Sequence, residues 1–180
     1  MQRFELTRPV FLIGFMGAGK TTLARKLARR CGLAAVDTDR SIERETGMRI
    51  SELYPSIGDE AFRELEADTL LRYCNGYPLL IACGGGIVCG DRSRQIIKER
   101  GFAIHMVVSA DESASRISNH ATRPHFESMD SICSVNEQRM PLYCGLADAT
   151  VNTRDKSSAQ LVREVQSLLE KEGILCPLPK

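Results

Sequence analysis

Residues 14–21, Gly14-Phe15-Met16-Gly17-Ala18-Gly19-Lys20-Thr21, follow the apolar run Val10, Phe11, Leu12, Ile13 and precede a stretch with Leu23 and Leu27 at helical spacing. Apolar strand, glycine turn and amphipathic helix in that order fit the G-x-x-x-x-G-K-[ST] phosphate-binding loop. Glycines let the loop curl so that successive backbone N–H groups face anionic oxygens. Lys20 can reach the β- and γ-phosphates, the Thr21 hydroxyl can ligate Mg²⁺, and a helix opening at Lys20 adds its positive dipole end. The plain alternative, a glycine-rich turn between strand and helix, is disfavoured by the strand before the loop and the amphipathic Leu23, Leu27 helix after it. The candidate phosphate-binding residues are Gly17, Ala18, Gly19, Lys20, Thr21 and Thr22, with Mg²⁺ and a nucleoside triphosphate as the expected partners.

Outward from this loop, short apolar runs alternate with helical patterns, the signature of βαβ units and a parallel sheet covered on both faces. The fold class is therefore α/β. Strands are expected at Val10 to Ile13, Ala34 to Val36, Leu79 to Ala82, Ala103 to Val108 and Thr150 to Asn152. Helices are expected at Lys20 to Arg30, Glu60 to Tyr73, Arg92 to Glu99, Glu112 to Ser118, Val135 to Leu146 and Ser158 to Glu170. Asn119 to Ser131 holds no sustained period and contains Pro124, so it reads as a long exposed loop of the kind that forms lids. Pro177-Leu178-Pro179-Lys180 is expected to fray.

The 180 residues suit one domain, with 24 Lys plus Arg against 23 Asp plus Glu. A net charge of +1 argues against a broad nucleic-acid footprint and for a small-molecule partner. No apolar stretch approaches the roughly 18 to 20 residues of a membrane span, and Met1-Gln2-Arg3-Phe4-Glu5 lacks a signal-peptide core, so a cytoplasmic location is expected. The seven cysteines are scattered without a C-x-x-C pair, which suggests neither a zinc site nor a disulfide framework.

The acceptor must be chosen by residues elsewhere. The second strand runs into Asp37-Thr38-Asp39, and two-residue alternation would put both carboxylates on one side of the chain at the sheet edge where α/β ligands bind. Asp37 is the candidate for the metal, directly or through its waters, and Asp39 for accepting a proton or hydrogen bond from a substrate hydroxyl. A turn that caps the next helix, with Asp39 as N-cap, is the competing reading. Gly84-Gly85-Gly86 after the third strand would let the backbone approach a ligand. Arg63 and Glu66 lie at i,i+3 on a helix, so Glu66 can brace a guanidinium that takes a carboxylate in bidentate fashion; Arg139 and Tyr143 share a helix face at i,i+4. In the loop, Arg123 could act as a charge-stabilising finger and Arg116 could stack on adenine. His105 falls in a strand as a structural residue, and His120 and His125 lack metal-ligand spacing.

Taken together, GFMGAGKTT, the pair DTD, GDEAFRELEA, the CGGG turn, TRP in the loop and R-M-P-L-Y near the end resemble shikimate kinases, in their order and at similar spacing along almost the whole chain. The resemblance implies a P-loop kinase fold with a five-stranded parallel sheet, one domain over 1–180 with a mobile nucleotide lid at about 112–132, and a monomer. It implies transfer of the ATP γ-phosphate to the 3-hydroxyl of shikimate, in the biosynthesis of aromatic amino acids. By position, it assigns phosphate binding to Gly17 through Thr22, the metal to Thr21 and Asp37, and shikimate to Asp39, Arg63, Gly85 and Arg139 with Gly84 and Gly86 nearby. Arg123 matches the lid arginine, Arg116 the adenine-side one and Arg154 a further nucleotide contact; Lys20, Asp39 and Arg123 would carry the chemistry. Cys144-Gly145 after Tyr143 and Cys83 before the glycine turn depart from the family pattern, and Cys83 with Cys89 suggests thiol-sensitive activity. Competing readings are a kinase for another small acceptor, such as gluconate or a nucleoside monophosphate, and a nucleotide-binding module without catalysis. A GTP switch would carry an N-K-x-D stretch, which is missing.

Overall fold

The computed structural model describes residues 3–109, 112–113 and 129–179. Its centre is a five-stranded parallel sheet of β2 (Val10–Ile13), β3 (Ala35–Asp37), β4 (Leu80–Ala82), β5 (Phe102–Val107) and β6 (Ala149–Asn152), in the order β3-β4-β2-β5-β6. Central β2 is flanked on both sides, Phe11 lying opposite Ile81 and Ala103, and all four of its residues are fully buried. A strand covered on both faces is apolar without alternation, which is why Val10-Phe11-Leu12-Ile13 was legible as one.

Helix α1 (Lys20–Cys31) buries Leu23, Ala24, Leu27 and Cys31, and ends at Gly32, whose φ of 72° closes the helix in the left-handed region. It packs against β2, β3 and β4 and against the helix of Ser158–Lys171. α4 (Asp91–Arg100) and α5 (Met129–Leu146) pack on β5, and a short 3-10 turn at Ile87–Cys89 joins them to α3 (Ile50–Cys74). The last helix, α6 (Ser158–Lys171), opens with a capping box in which Ser157 and Gln160 satisfy each other's backbone N–H groups. No helix among the described residues is long and apolar enough to cross a membrane.

Four expectations are corrected. The strand through Val36 ends at Asp37, and α2 (Thr38–Thr46) starts immediately, so Asp37 and Asp39 do not share a strand face. Asp37, not Asp39, is the N-cap: its Oδ1 accepts the Arg40 N–H at 3.1 Å. The helix expected from Glu60 begins at Ile50, because two helical segments run together across Gly58, whose φ of 80° and ψ of 170° break the helical path just after Pro55. The chain end does not fray at Pro177-Leu178: β7 (Leu175–Pro177) pairs antiparallel with β1 (Phe4–Leu6), and the Leu178 N–H donates to Arg3 O at 2.9 Å. Leu6 and Leu175, both buried, anchor that ribbon. Of the helix expected at Glu112 to Ser118, Glu112 and Ser113 are helical and the rest lies outside the described residues. Of the expected loop Asn119 to Ser131, the last three residues belong to α5, which starts six residues before the expected Val135.

Candidate active site

Parallel strands present all their C-terminal ends at one edge, and the connections leaving that edge converge there. The loop after β2, the start of α2 after β3 and the glycine turn after β4 line an open cleft of about 780 Å³, with α3 and α5 contributing arginines. That volume lies in the range of roughly 300–1,000 Å³ usual for small-molecule sites.

At one end, the phosphate loop is wound tightly. Gly17 and Gly19 have φ of 72° and 85°, and a Cβ on Gly17 would press on the Ser113 backbone at 3.0 Å. The Ser113 hydroxyl donates to Met16 O at 2.9 Å, fastening the loop to the segment that leaves β5. The buried Lys20 ammonium donates to Gly14 O at 2.6 Å and Phe15 O at 2.8 Å. These carbonyls hold the charge inside the loop, ready to turn toward an anion. Thr21 Oγ1 donates to Asp37 Oδ2 at 2.5 Å, so a hydroxyl from the start of α1 and a carboxylate from the end of β3 meet beside the loop. Hard oxygen donors of this type suit Mg²⁺, which takes few protein ligands and completes its shell with phosphate and water. Among the described residues no group of three or more His, Cys, Asp or Glu could form an all-protein metal cage.

The middle of the cleft is built by the meeting of α2 and the glycine turn. Buried Thr38 accepts the Gly84 N–H at 2.9 Å on its Oγ1, drawing the turn against the start of α2. The Asp39 carboxylate lies where a Cβ on Gly84 would be, which is a packing reason for glycine there. A Cβ on Gly86 would lie 2.7 Å from Arg63 Nη1. Gly84 and Gly86 thus serve close approach of side chains, none of the three glycines having a positive φ, while a Cβ on Gly85 would come no nearer than 3.5 Å, to the Met16 backbone N.

At the far end, Arg63 donates from Nη1 to Glu66 Oε2 at 2.6 Å and to Gly86 O at 3.2 Å, and its Nε and Nη2 meet Asp59 Oδ1 at 3.0 and 2.9 Å. The guanidinium sits 5.7 Å from the Tyr54 ring centre and 5.5 Å from that of Phe62, which pack edge to face. Glu66 is 1 % exposed. Burial pushes its carboxyl up to about 7 against the pull of Arg63. Burial works against the Arg63 charge too, but Glu66 and Asp59 outweigh it and hold the guanidinium above its ordinary value. Tyr54 donates to Asp59 Oδ1 at 2.7 Å, and that bond, with Arg63, keeps the Asp59 carboxyl low. Arg139 reaches the cleft from α5, its Nη1 donating to Gly85 O at 3.3 Å.

Most of the expected site residues thus come together: Gly17, Gly19, Lys20, Thr21, Thr22, Asp37, Asp39, Arg63, Gly84, Gly85, Gly86 and Arg139 line the cleft. Ala18 is buried in the loop beneath. Arg116 and Arg123, with His120 and His125, lie outside the described residues. Arg154 stands in the exposed turn after β6, 3.7 Å from Asp155, and is not part of the cleft wall. Cys83 is buried and its thiol is pushed well up by burial, which is the opposite of a reactive thiol and removes it from the thiol-sensitivity expected of it. Tyr54, Asp59 and the pinning hydroxyl of Thr38 were missed; Tyr54 and Asp59 stand one turn and more ahead of Arg63 on a helix whose first part was not foreseen.

Residues 16–170 match the family model described as shikimate kinase. A shikimate kinase of Dehalococcoides mccartyi is 34% identical over 164 residues, 90% of this chain and 93% of the relative. One of Rhodopseudomonas palustris is 35% identical over 175 residues, 96% of this chain and 85% of the relative. Among solved structures, a shikimate kinase from Acinetobacter baumannii in complex with shikimate aligns with a TM-score of 0.86 at 28% identity, covering 92% of this chain and 94% of that one. A gluconokinase from Sinorhizobium meliloti aligns with a TM-score of 0.61 at 16% identity, a likeness of fold alone.

Proposed function

The chain belongs to the shikimate kinase family, and we propose that it transfers the γ-phosphoryl group of ATP to the 3-hydroxyl of shikimate, giving shikimate 3-phosphate and ADP. The observation that carries this reading is a single cleft with a phosphate loop at one end, two arginines at the other and a carboxylate, Asp39, against the glycine turn. Shikimate has one carboxylate and three hydroxyls, and this arrangement is complementary to it.

In the reaction we infer, positioning and charge neutralisation do most of the work. The Lys20 ammonium exchanges its loop carbonyls for phosphate oxygens, and the N–H groups of Gly17 through Thr22 face the same phosphates. Thr21 and Asp37 would hold Mg²⁺, which neutralises charge on the phosphates when bound. Asp39 accepts the proton or hydrogen bond of the acceptor hydroxyl. Arg63, braced by Glu66, and Arg139 take the substrate carboxylate, while the glycines leave room for the ring. Arg123, as the lid arginine, would stabilise the transferring group, with Arg116 beside adenine and Arg154 a further nucleotide contact. We read residues 1–180 as one domain acting as a monomer in the cytoplasm, with the lid at about 112–132 excluding water during transfer.

The test is ADP release from Mg-ATP with shikimate, gluconate, a nucleoside monophosphate or no acceptor. Stimulation by shikimate alone is expected. Stimulation by gluconate instead would keep the kinase and discard the assignment of Arg63 and Arg139, and ATP binding without turnover would favour a non-catalytic module.

A further inference from the structure

The glycine turn is held by side chains from three helices. Thr38 of α2 accepts the Gly84 N–H, Arg63 of α3 donates to Gly86 O, and the Tyr143 hydroxyl of α5 donates to Gly85 O at 2.5 Å. Tyr143 is fully buried and 58 residues away in sequence from the carbonyl it holds. Its ring stacks on His105 of β5, with centres 5.1 Å apart and planes at 21°. His105 in turn stands opposite Ile13 in the sheet register, immediately before the phosphate loop. The ring therefore has little freedom, and its hydroxyl is aimed by the core rather than by the cleft.

Arg139 lies one helical turn before Tyr143 on the same face, and its Nη1 donates to the same Gly85 carbonyl at 3.3 Å. That carbonyl has two acceptor positions. With Tyr143 on one of them, it presents the other to Arg139 from a fixed place. We propose that Tyr143 is a positioning residue for the acceptor: by holding the Gly85 carbonyl it fixes both the glycine wall and the direction of Arg139. This rests on the reading of Arg139 as a contact of the substrate carboxylate. Burial pushes the Tyr143 hydroxyl up, so it remains a donor throughout the working pH range.

A tyrosine that merely fills the core makes a different prediction, since phenylalanine preserves the ring and its stack on His105. Tyr143→Phe is therefore assayed for shikimate KM, kcat and ADP affinity, beside Arg139→Ala and the double variant, with melting curves to verify folding. Loss of the hydroxyl frees Gly85 O to draw Arg139 away from the substrate. The shikimate KM of Tyr143→Phe should rise roughly tenfold, the scale of one lost buried hydrogen bond, with ADP affinity unchanged. In the Arg139→Ala background the same substitution should change KM by less than about twofold, because the group it positions is gone. An unchanged KM in Tyr143→Phe beside a raised KM in Arg139→Ala overturns the proposal alone, as does full additivity. An unchanged KM in Arg139→Ala overturns the carboxylate reading and the proposal with it. If Tyr143→Phe lowers the melting temperature while shikimate KM and kcat stay at wild-type values, Tyr143 is a core residue only.

Discussion

Glu66→Gln is the substitution whose consequence can be worked furthest. The carboxyl is buried beneath Arg63 and pushed from an ordinary value of 4.5 up to about 7, with Asp39 adding to burial and Arg139 opposing it. Because the folded value lies above the unfolded one, the contribution of Glu66 to stability is full below pH 4.5 and is lost as pH rises through about 7. The difference corresponds to about 3 kcal/mol at about 1.4 kcal/mol per tenfold change in proton affinity. The attraction between Glu66 and Arg63 is already contained in that figure and is counted once. Glutamine retains the shape and an acceptor for Arg63 without the titration. Because pH 5 already lies above the unfolded value, melts at pH 5 and pH 8 capture most but not all of this, and the wild-type melting temperature should fall by roughly 5–10 °C more than that of Glu66→Gln, using about 2–4 °C per kcal/mol for a chain of this size. His105 titrates on the acid side in the opposite sense, since burial lowers it, but it is present in both proteins and cancels in the difference. Parallel melting temperatures across the two pH values would refute the reasoning and mean that Arg63 keeps Glu66 ionised throughout.

Three further outcomes are expected. Asp39→Asn should lower kcat by at least about a hundredfold, the lower end for a lost general base, with ADP affinity intact by calorimetry; wild-type turnover would remove Asp39 from the chemistry. Gly86→Ala places a methyl 2.7 Å from Arg63 Nη1 and should raise shikimate KM about tenfold by displacing the guanidinium from its hydrogen bonds; an unchanged KM would show that Arg63 moves aside without cost. Brief alkylation of native protein followed by peptide mapping should modify exposed Cys144 and leave buried Cys83 free, and rapid labelling of Cys83 would contradict its burial.

Features written in local spacing were legible from the amino-acid order alone. The phosphate loop, its flanking strand and helix, the all-apolar central strand and the Arg63–Glu66 brace each rest on residues a few positions apart, where backbone geometry alone sets the contact. The five strands of the sheet were legible for that reason, as was the set of cleft residues once the connections were placed at the strand ends. The remainder depended on long-range packing. Whether Asp37 or Asp39 caps α2 depended on a strand ending one residue later than its apolar pattern, and the early start of α3 on two helical segments running on across Gly58. The Thr38 bond to Gly84, the Arg63 bond to Gly86 and the Tyr143 bond to Gly85 span 46, 23 and 58 residues. A hydrogen bond across such a separation carries no periodic signal in the chain, because its two partners are brought together only when the strands have registered and the helices have packed on them.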